Sequence, residues 1–242
     1  MSTSSRPLIL AERETPFWGF GELFLSVAVF FVGLGVVVSV ASRLLNEDAK
    51  TGYGAVLQEF AAYMILFALL KALFSFHGRP LLQSLGWVPQ PFAITTLMGI
   101  GFAVFFLSIA LAVILQTPET QTPFDKLING DAWSRIAIAI FGVSLGPAIE
   151  ELLFRGLLQP VMIKVAGVFP GILITSILFG AVHLDQNGFL WQSGVIITVA
   201  GFAFGTVRHV TGSTRASTIT HIAYNSLPFL ITVLQGGRTS HV

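Results

Sequence analysis

Six ionisable or amide side chains interrupt the apolar second half of this sequence. They are Glu150, Glu151, Arg155, His183, His221 and Asn225. Placing one charged side chain at the centre of a bilayer costs roughly 2.5–3.5 kcal/mol on insertion scales. A group in such a setting is therefore a candidate functional residue, and several together strengthen that interpretation.

Glu150, Glu151 and Arg155 belong to the segment GPAIEELLFRGLL at 146–158. Glu151 and Arg155 are four residues apart, so they share a helix face and can form an ion pair. That pair alone is explained as well by structural support for a polar helix as by catalysis. Glu150 points about 100° away from Glu151, so it is the less easily paired carboxylate and the candidate proton acceptor.

Two histidines and an asparagine follow on later apolar segments. His183 has Phe179 four residues before it on the same face, and a lone histidine there is compatible with either a core residue or a catalyst. His221 and Asn225 are also four apart. They could donate two hydrogen bonds to one oxyanion or simply hold helices together. Because three segments supply such groups, we expect one shared polar cavity.

The composition is that of a polytopic membrane protein. The chain has 242 residues, of which 54% are hydrophobic and 10% charged, whereas soluble domains carry roughly 25% charged residues. The net charge of +1 gives no basic field for nucleic acid. With no cysteine, disulfides, thiolate metal sites and cysteine nucleophiles are excluded. HExxH, SxxK and phosphate-loop motifs are also missing from the sequence.

The predicted fold is an all-α bundle of about seven transmembrane helices, with six to eight as the range. A spanning helix needs about 20 apolar residues. The fourth segment either continues to 163 as one helix or breaks near Pro160, and Glu22 and Glu59 are interpreted as interfacial. The segments are 19–44, 55–76, 92–116, 133–154, 170–188, 190–208 and 216–235.

Two parts of the chain differ in polarity. Residues 1–130 are predicted to form N-terminal transmembrane helices with almost no polar group at membrane depth. Residues 131–242 are predicted to form the catalytic core. With the N-terminus in the cytoplasm, eight Lys and Arg residues fall in cytoplasmic segments and five in outer segments. Because Lys and Arg are enriched on the cytoplasmic side, this count favours that orientation. That orientation puts Glu150 and His221 toward the inner side. The other three histidines, His77, His209 and His241, are predicted at solvated loops or helix ends.

The three motifs, in this order, resemble the CPBP intramembrane protease family, which includes CAAX prenyl endopeptidases and bacterial Abi proteins. The resemblance covers roughly 135–232 and rests on Glu-Glu-x-x-x-Arg (150–155), Phe-x-x-x-His (179–183) and His-x-x-x-Asn (221–225). It implies an endopeptidase of the bacterial plasma membrane. By the resemblance, Glu150 activates water beside His183, and His221 and Asn225 hold the oxyanion. Glu151 and Arg155 support them, and Phe179 belongs to the same supporting set.

The resemblance leaves the metal and the substrate open. The family is often called a metalloprotease, and Glu150, His183 and His221 could bind zinc. A glutamate-activated water requires no cofactor, and that is our expectation. The substrate is a peptide or protein, with membrane-associated and lipidated ones included, and the other partners are membrane lipids. The alternatives are a proton-coupled transporter and a non-catalytic immunity or scaffold protein.

Overall fold

The computed structural model describes residues 16–44, 52–119, 126 and 131–234. Within these residues the chain is a helical bundle without strands, which confirms the predicted fold class. A π-helical segment, Leu152–Leu158, joins α6 to α7. The helices are α1 (Phe20–Leu44), α2 (Gly52–Phe76), α3 (Leu81–Ser84), α4 (Ile94–Ile114), α5 (Ala132–Gly142), α6 (Leu145–Glu151), α7 (Gln159–Ala166), α8 (Val168–Val182), α9 (Trp191–Thr211) and α10 (Thr214–Leu234).

Polar and apolar side chains are distributed as in a membrane protein. Phe24 and Phe31 of α1 are 72% and 63% exposed, whereas Glu151 and Arg155 are fully buried. The described helices include five that are long and apolar enough to cross a bilayer: α1, α2, α4, the run from Ala132 to Ala166, and α9. The chain is therefore a multi-pass membrane protein.

The fourth predicted segment differs most from its prediction. It begins at Asp131, whose side chain accepts hydrogen bonds from the backbone N–H groups of Trp133 and Ser134 as an N-cap. It breaks at Val143–Ser144 and not near Pro160. Pro147 has no N–H to donate to the carbonyl of Val143, which favours a break at that point. Beyond it, the helical run continues to Ala166, well past the predicted end at 154.

This longer run brings Glu150 and His183 to the same depth. The helices α7 and α8 pack against each other as a hairpin that turns at Gly167, where φ is +87°. Glu150 precedes Gly167 and His183 follows it at nearly equal distances along the chain. At about 1.5 Å per residue, both lie roughly 25 Å from the turn. The segment drawn at 133–154 put Glu150 close to its inner end, whereas the alternative of one helix continuing to 163 agrees with the longer run in the structure.

One end of the bundle, which we call the basic end, holds residues 77–87, 164–168 and 208–215. The hydroxyl of Thr214 donates to the carbonyl of Leu85 at 2.6 Å, which ties α10 to the α3 region. At the opposite end the backbone N–H of Tyr53 bonds the hydroxyl of Ser134 at 3.2 Å, so α2 and α5 begin side by side.

Candidate active site

A fully buried ion pair joins Glu151 to Arg155. Oε1 of Glu151 lies 2.9 Å from Nη1 of Arg155, and both side chains are completely buried. The pair predicted from the four-residue spacing is thus present. The guanidinium also lies over the ring of Phe179, 4.3 Å from its centroid. A cation over an aromatic face is stabilised by the ring quadrupole, which offsets part of the cost of burying the charge.

Two side chains from the π segment and α7 donate to backbone carbonyls of α9. Nη2 of Arg155 bonds the carbonyl of Gly201 at 2.9 Å, and Nε2 of Gln159 bonds that of Gly205 at 3.0 Å. Both contacts need a close approach of the helices. A Cβ at Gly205 would lie 2.8 Å from Oε1 of Gln159. The GxxxG spacing in α9 therefore leaves room for the side chains of Arg155 and Gln159 to reach the backbone of α9.

His221 connects α10 to both carboxylates. Its Nδ1 lies 3.1 Å from Oε1 of Glu151, and its Nε2 lies 3.8 Å from Oε2 of Glu150. A carboxylate only accepts hydrogen bonds, so we assign the proton of the neutral ring to Nδ1. The lone pair of Nε2 then faces Glu150. His221 can donate from Nε2 to an oxyanion only when its ring carries both protons.

His183 approaches Glu150 from the other side. It follows the last residue of α8, and its Nδ1 lies 2.7 Å from the carbonyl of Phe179. Because a carbonyl can only accept, Nδ1 carries the proton and the lone pair of Nε2 points outward. That atom lies 3.8 Å from Oε2 of Glu150. The two imidazoles therefore direct acceptor atoms to the same carboxylate, at separations too long for direct hydrogen bonds.

These groups line one cavity of about 440 Å³. Glu150, His183, His221 and Asn225 are all on its wall, as the sequence predicted for a shared polar cavity. The amide of Asn225 donates to the carbonyl of Gly142 at 2.8 Å, at the end of α5. One of its two N–H groups thus ties α10 to the last residue of α5, next to the break at Val143–Ser144. The volume lies within the range of small-molecule and peptide-binding sites, roughly 300–1,000 Å³.

The cavity lies toward the end of the bundle opposite the basic end. Its wall includes Gly52 at the start of α2 and Asn187 and Ser193 around the α8–α9 connection. The sequence placed Glu150 and His221 toward the side that holds the basic end. For Glu150 this placement was wrong, because the whole π segment and α7 separate Glu150 from the turn at Gly167. His221 lies about two turns after the start of α10 at Thr214, which belongs to the basic end, so its predicted placement agrees with the structure.

Comparison with known proteins identifies the part of the chain that holds these residues. Residues 132–227 match the family model described as type II CAAX prenyl endopeptidase Rce1-like. This segment is therefore similar to type II CAAX prenyl endopeptidases of the Rce1-like kind. No curated protein and no solved structure matches the chain. All seven predicted site residues, from Glu150 to Asn225, lie inside the Rce1-like segment.

One carboxylate among the described residues of the cavity wall lies outside the Rce1-like segment. Glu59 of α2 lines the cavity and accepts a hydrogen bond from the hydroxyl of Tyr63 at 3.1 Å. The sequence interpreted Glu59 as interfacial and did not predict its place in the cavity wall; α2 begins at Gly52 and not at 55, so Glu59 lies two turns into the helix. The available signal was a carboxylate four residues before a tyrosine within an apolar span.

The residues named for zinc do not form a metal site as they are placed. Zinc binds nitrogen and oxygen ligands at about 2.0–2.2 Å in a tetrahedral arrangement. Among the described residues, no group of three His, Cys, Asp or Glu side chains is positioned to hold a metal ion. The anchored Nδ1 atoms of both histidines do resemble the hydrogen bonding of metal-bound imidazoles. Without a fitting ligand set, however, they support no metal-dependent step.

Proposed function

We propose that this protein is an intramembrane endopeptidase in which Glu150 activates the attacking water. The observation that carries the proposal is the convergence of Glu150, His183 and His221, whose facing atoms lie 3.8 Å apart in both contacts. A water among these three atoms would meet one carboxylate oxygen and two imidazole lone pairs. It could donate to two of these acceptors, which orients a lone pair of its own toward a substrate carbonyl.

The proposed reaction needs no group beyond these side chains. Glu150 accepts a proton from water while the hydroxide oxygen bonds to the scissile carbonyl carbon. The carbonyl oxygen becomes an oxyanion, and the second N–H of Asn225 is its proposed donor. His221 adds a second donor in those molecules whose ring has already taken a proton from solvent at Nε2, and His183 alone then supplies the imidazole lone pair to the water. Each such donor lowers the barrier by about 3 kcal/mol. When the C–N bond breaks, Glu150 returns its proton to the leaving nitrogen.

Glu151 and Arg155 are proposed to hold the site in place. Glu151 bonds Nδ1 of His221 and Arg155 bonds Glu151, so the orientation of the imidazole depends on a fully buried pair. Phe179 adds to the same support because its ring contacts Arg155 and its carbonyl anchors His183. The substrate is proposed to be a peptide or protein, with lipidated and membrane-associated ones included.

Cleavage of a peptide library by the purified protein in detergent tests the proposal. Glu150→Gln should abolish cleavage without loss of folding, because the amide cannot accept the proton of water. Glu119→Gln, at an exposed site, serves as the matched control and should cleave normally. Full activity of Glu150→Gln would overturn the proposal. Loss of wild-type activity on adding a chelator would replace the cofactor-free mechanism with a metal-dependent one.

The distribution of cations supports an N-terminus in the cytoplasm of a bacterial cell. Lysines and arginines concentrate near cytoplasmic membrane faces. The basic end and its flanks hold Lys71, Arg79, Lys164, Arg208 and Arg215, whereas Arg43, Lys126 and Arg135 belong to the opposite side. In this orientation the catalytic cavity lies toward the non-cytoplasmic face, so we propose that the substrate reaches it from that side.

Two other functions are separated from proteolysis by measuring solute transport in vesicles and peptide binding without turnover. A proton-coupled transporter would move a solute across vesicles without cutting a peptide. A non-catalytic immunity or scaffold protein would bind a peptide in the cavity without turnover. The Rce1-like match of residues 132–227 favours the protease over both.

A further inference from the structure

A second concave surface lies at the basic end, separate from the catalytic cavity. It is a groove of about 820 Å³ between the second half of α2 and the α3 region. No described residue lines both the groove and the cavity. Its wall consists of Met64, Phe67, Ala68, Lys71, Ser75, Arg79, Pro80, Leu81, Leu82, Gln83 and Trp87.

The α2 wall of this groove changes from apolar to cationic along its length. Met64, Ala68, Lys71 and Ser75 follow one another at intervals of three or four residues and so occupy one face of the helix. Met64 and Ala68 lie deeper in the membrane-spanning part of α2. Lys71 lies nearer the C-terminal end of the helix, and Arg79 lies just beyond it. The stretch from Met64 to the end of α2 at Phe76 is roughly 18 Å long.

The opposite wall also combines apolar and polar side chains. Leu81 and Leu82 supply apolar surface, and Gln83 and Trp87 supply polar groups. Tryptophan is enriched where membranes meet water because its ring is amphipathic. A groove that is apolar at one end and carries two cations at the other matches a lipid with an anionic headgroup.

Beside the groove, α2 and α3 each end at a glycine in a left-handed conformation. Gly78 and Gly86 have φ of +65° and +77°, a conformation that glycine adopts without steric cost. The backbone N–H of Arg79 bonds the carbonyl of Phe74 at 2.9 Å, and that of Trp87 bonds the carbonyl of Leu82 at 2.8 Å. These are the six-to-one bonds of Schellman motifs, so Arg79 and Trp87 occupy equivalent positions after α2 and α3.

The α3 region is also tied to the rest of the bundle. The backbone N–H of Thr214 donates to the carbonyl of Gly86 at 2.8 Å, and the hydroxyl of Ser213 donates to that of Val88 at 2.6 Å. Residues 85–88 therefore stand at a fixed distance from α10. The groove is formed before any ligand binds, which lowers the entropic cost of binding.

We propose that this groove binds one anionic phospholipid. Lys71 and Arg79 bind the headgroup phosphate, and an acyl chain lies along Met64, Ala68 and Leu82. Basic pockets between transmembrane helices on the cytoplasmic side bind anionic headgroups, and the proposed orientation puts the basic end on that side. The proposal does not depend on the protein being a protease.

Native mass spectrometry of the purified protein, titrated with phosphatidylglycerol or phosphatidylcholine, tests the proposal. We expect phosphatidylglycerol to bind about 10-fold more tightly. The double variant Lys71→Gln/Arg79→Gln should lose that preference. The control Arg43→Gln/Lys126→Gln removes two exposed cations elsewhere and should keep it. Equal binding of both lipids by the wild type, or a preference kept by the double variant, overturns the proposal.

A second variant separates a lipid from a free anion and guards against misfolding of the first. Ala68→Trp leaves both cations in place and fills the apolar part of the groove at an exposed position. It should weaken phosphatidylglycerol binding about 10-fold, as expected for the loss of several buried CH₂ groups. If Ala68→Trp binds the lipid normally, or if inorganic phosphate displaces the lipid from the wild type, the ligand is not a phospholipid seated along α2.

Discussion

The Nδ1 atom of His221 lies 3.1 Å from Oε1 of Glu151, so α10 is bonded to the carboxylate that pairs with Arg155. Glu151 thereby joins two parts of the proposed site. It neutralises a buried guanidinium on its own helical run and fixes an imidazole ring on another helix. The adjacent Glu150 remains directed to the cavity, where its side chain is 23% exposed. Neighbouring carboxylates thus have different surroundings and different proposed roles.

Arg155→Met should destabilise the protein by about 3–5 kcal/mol, because Glu151 would be left as a buried carboxylate without its cationic partner. Thermal unfolding in detergent measures this loss. Lys164→Met, which removes an exposed cation of α7, is the control and should change stability little. Equal unfolding temperatures for Arg155→Met and wild type would contradict a structural role for the pair.

His183→Ala should lower kcat by about 100-fold or more, in the range of general acid–base effects. Its Nε2 faces Glu150, and the ring is held by the carbonyl of Phe179 and by contact with the Phe179 ring. Stability should change less than in Arg155→Met because His183 lies after the end of α8. Steady-state kinetics on the cleaved peptide test this, and an unchanged kcat would remove His183 from the proposed mechanism.

Glu59→Gln should raise KM about 10-fold, as expected for loss of a charged hydrogen-bond acceptor. The carboxylate of Glu59 lines the cavity and can accept a hydrogen bond from a substrate N–H. Tyr63→Phe removes the hydroxyl bonded to Glu59 and keeps the carboxylate, so its effect on KM should be smaller. A Glu59→Gln enzyme with unchanged KM would show that the peptide does not contact α2.

Gly205→Ala should destabilise the protein by about 1–3 kcal/mol, the usual cost of overpacking. The new Cβ would lie 2.8 Å from Oε1 of Gln159 and 2.9 Å from the Cγ2 atom of Ile172. Gly35→Ala in α1 is the matched control, since a Cβ there meets nothing within 4 Å. Similar unfolding temperatures for both variants would show that α9 can move away from Gln159.

Cysteine labelling should place the cavity on the non-cytoplasmic side. The sequence contains no cysteine, so single substitutions report without background. Asn187→Cys, at the cavity, should react with a membrane-impermeant maleimide in intact cells. Gln83→Cys, in the groove at the basic end, should react only after the cells are permeabilised. The reverse pattern would place the N-terminus outside.

The sequence predicted which side chains share a cavity better than it predicted the depths at which they lie. The ion pair of Glu151 and Arg155 follows from a four-residue spacing, which holds even where the helix changes to π geometry after Glu151. The seven helical segments follow from apolar runs of spanning length. Their outer limits differ by a few residues from those of the structure, apart from the segments predicted at 133–154 and 170–188.

The misplaced features depend on where helices begin and end. The segment listed at 133–154 stops short of Arg155 and Gln159, although both side chains are buried and donate to carbonyls of α9. A residue pattern gives no indication that a neighbouring helix offers such acceptors. The start of α2 was likewise predicted three residues too late. The division of the chain at residue 130, and the roles of the individual site residues, stay predictions.

The hairpin at Gly167 has a consequence for comparing this chain with other sequences. Glu150 and His183 meet because two arms of nearly equal length diverge from one turn. One residue inserted into a single arm would shift the residues beyond it by about 1.5 Å and rotate them by about 100°. The interval between these two positions should therefore be nearly constant among functional relatives. Differences in length should accumulate instead in the α8–α9 connection, beyond His183.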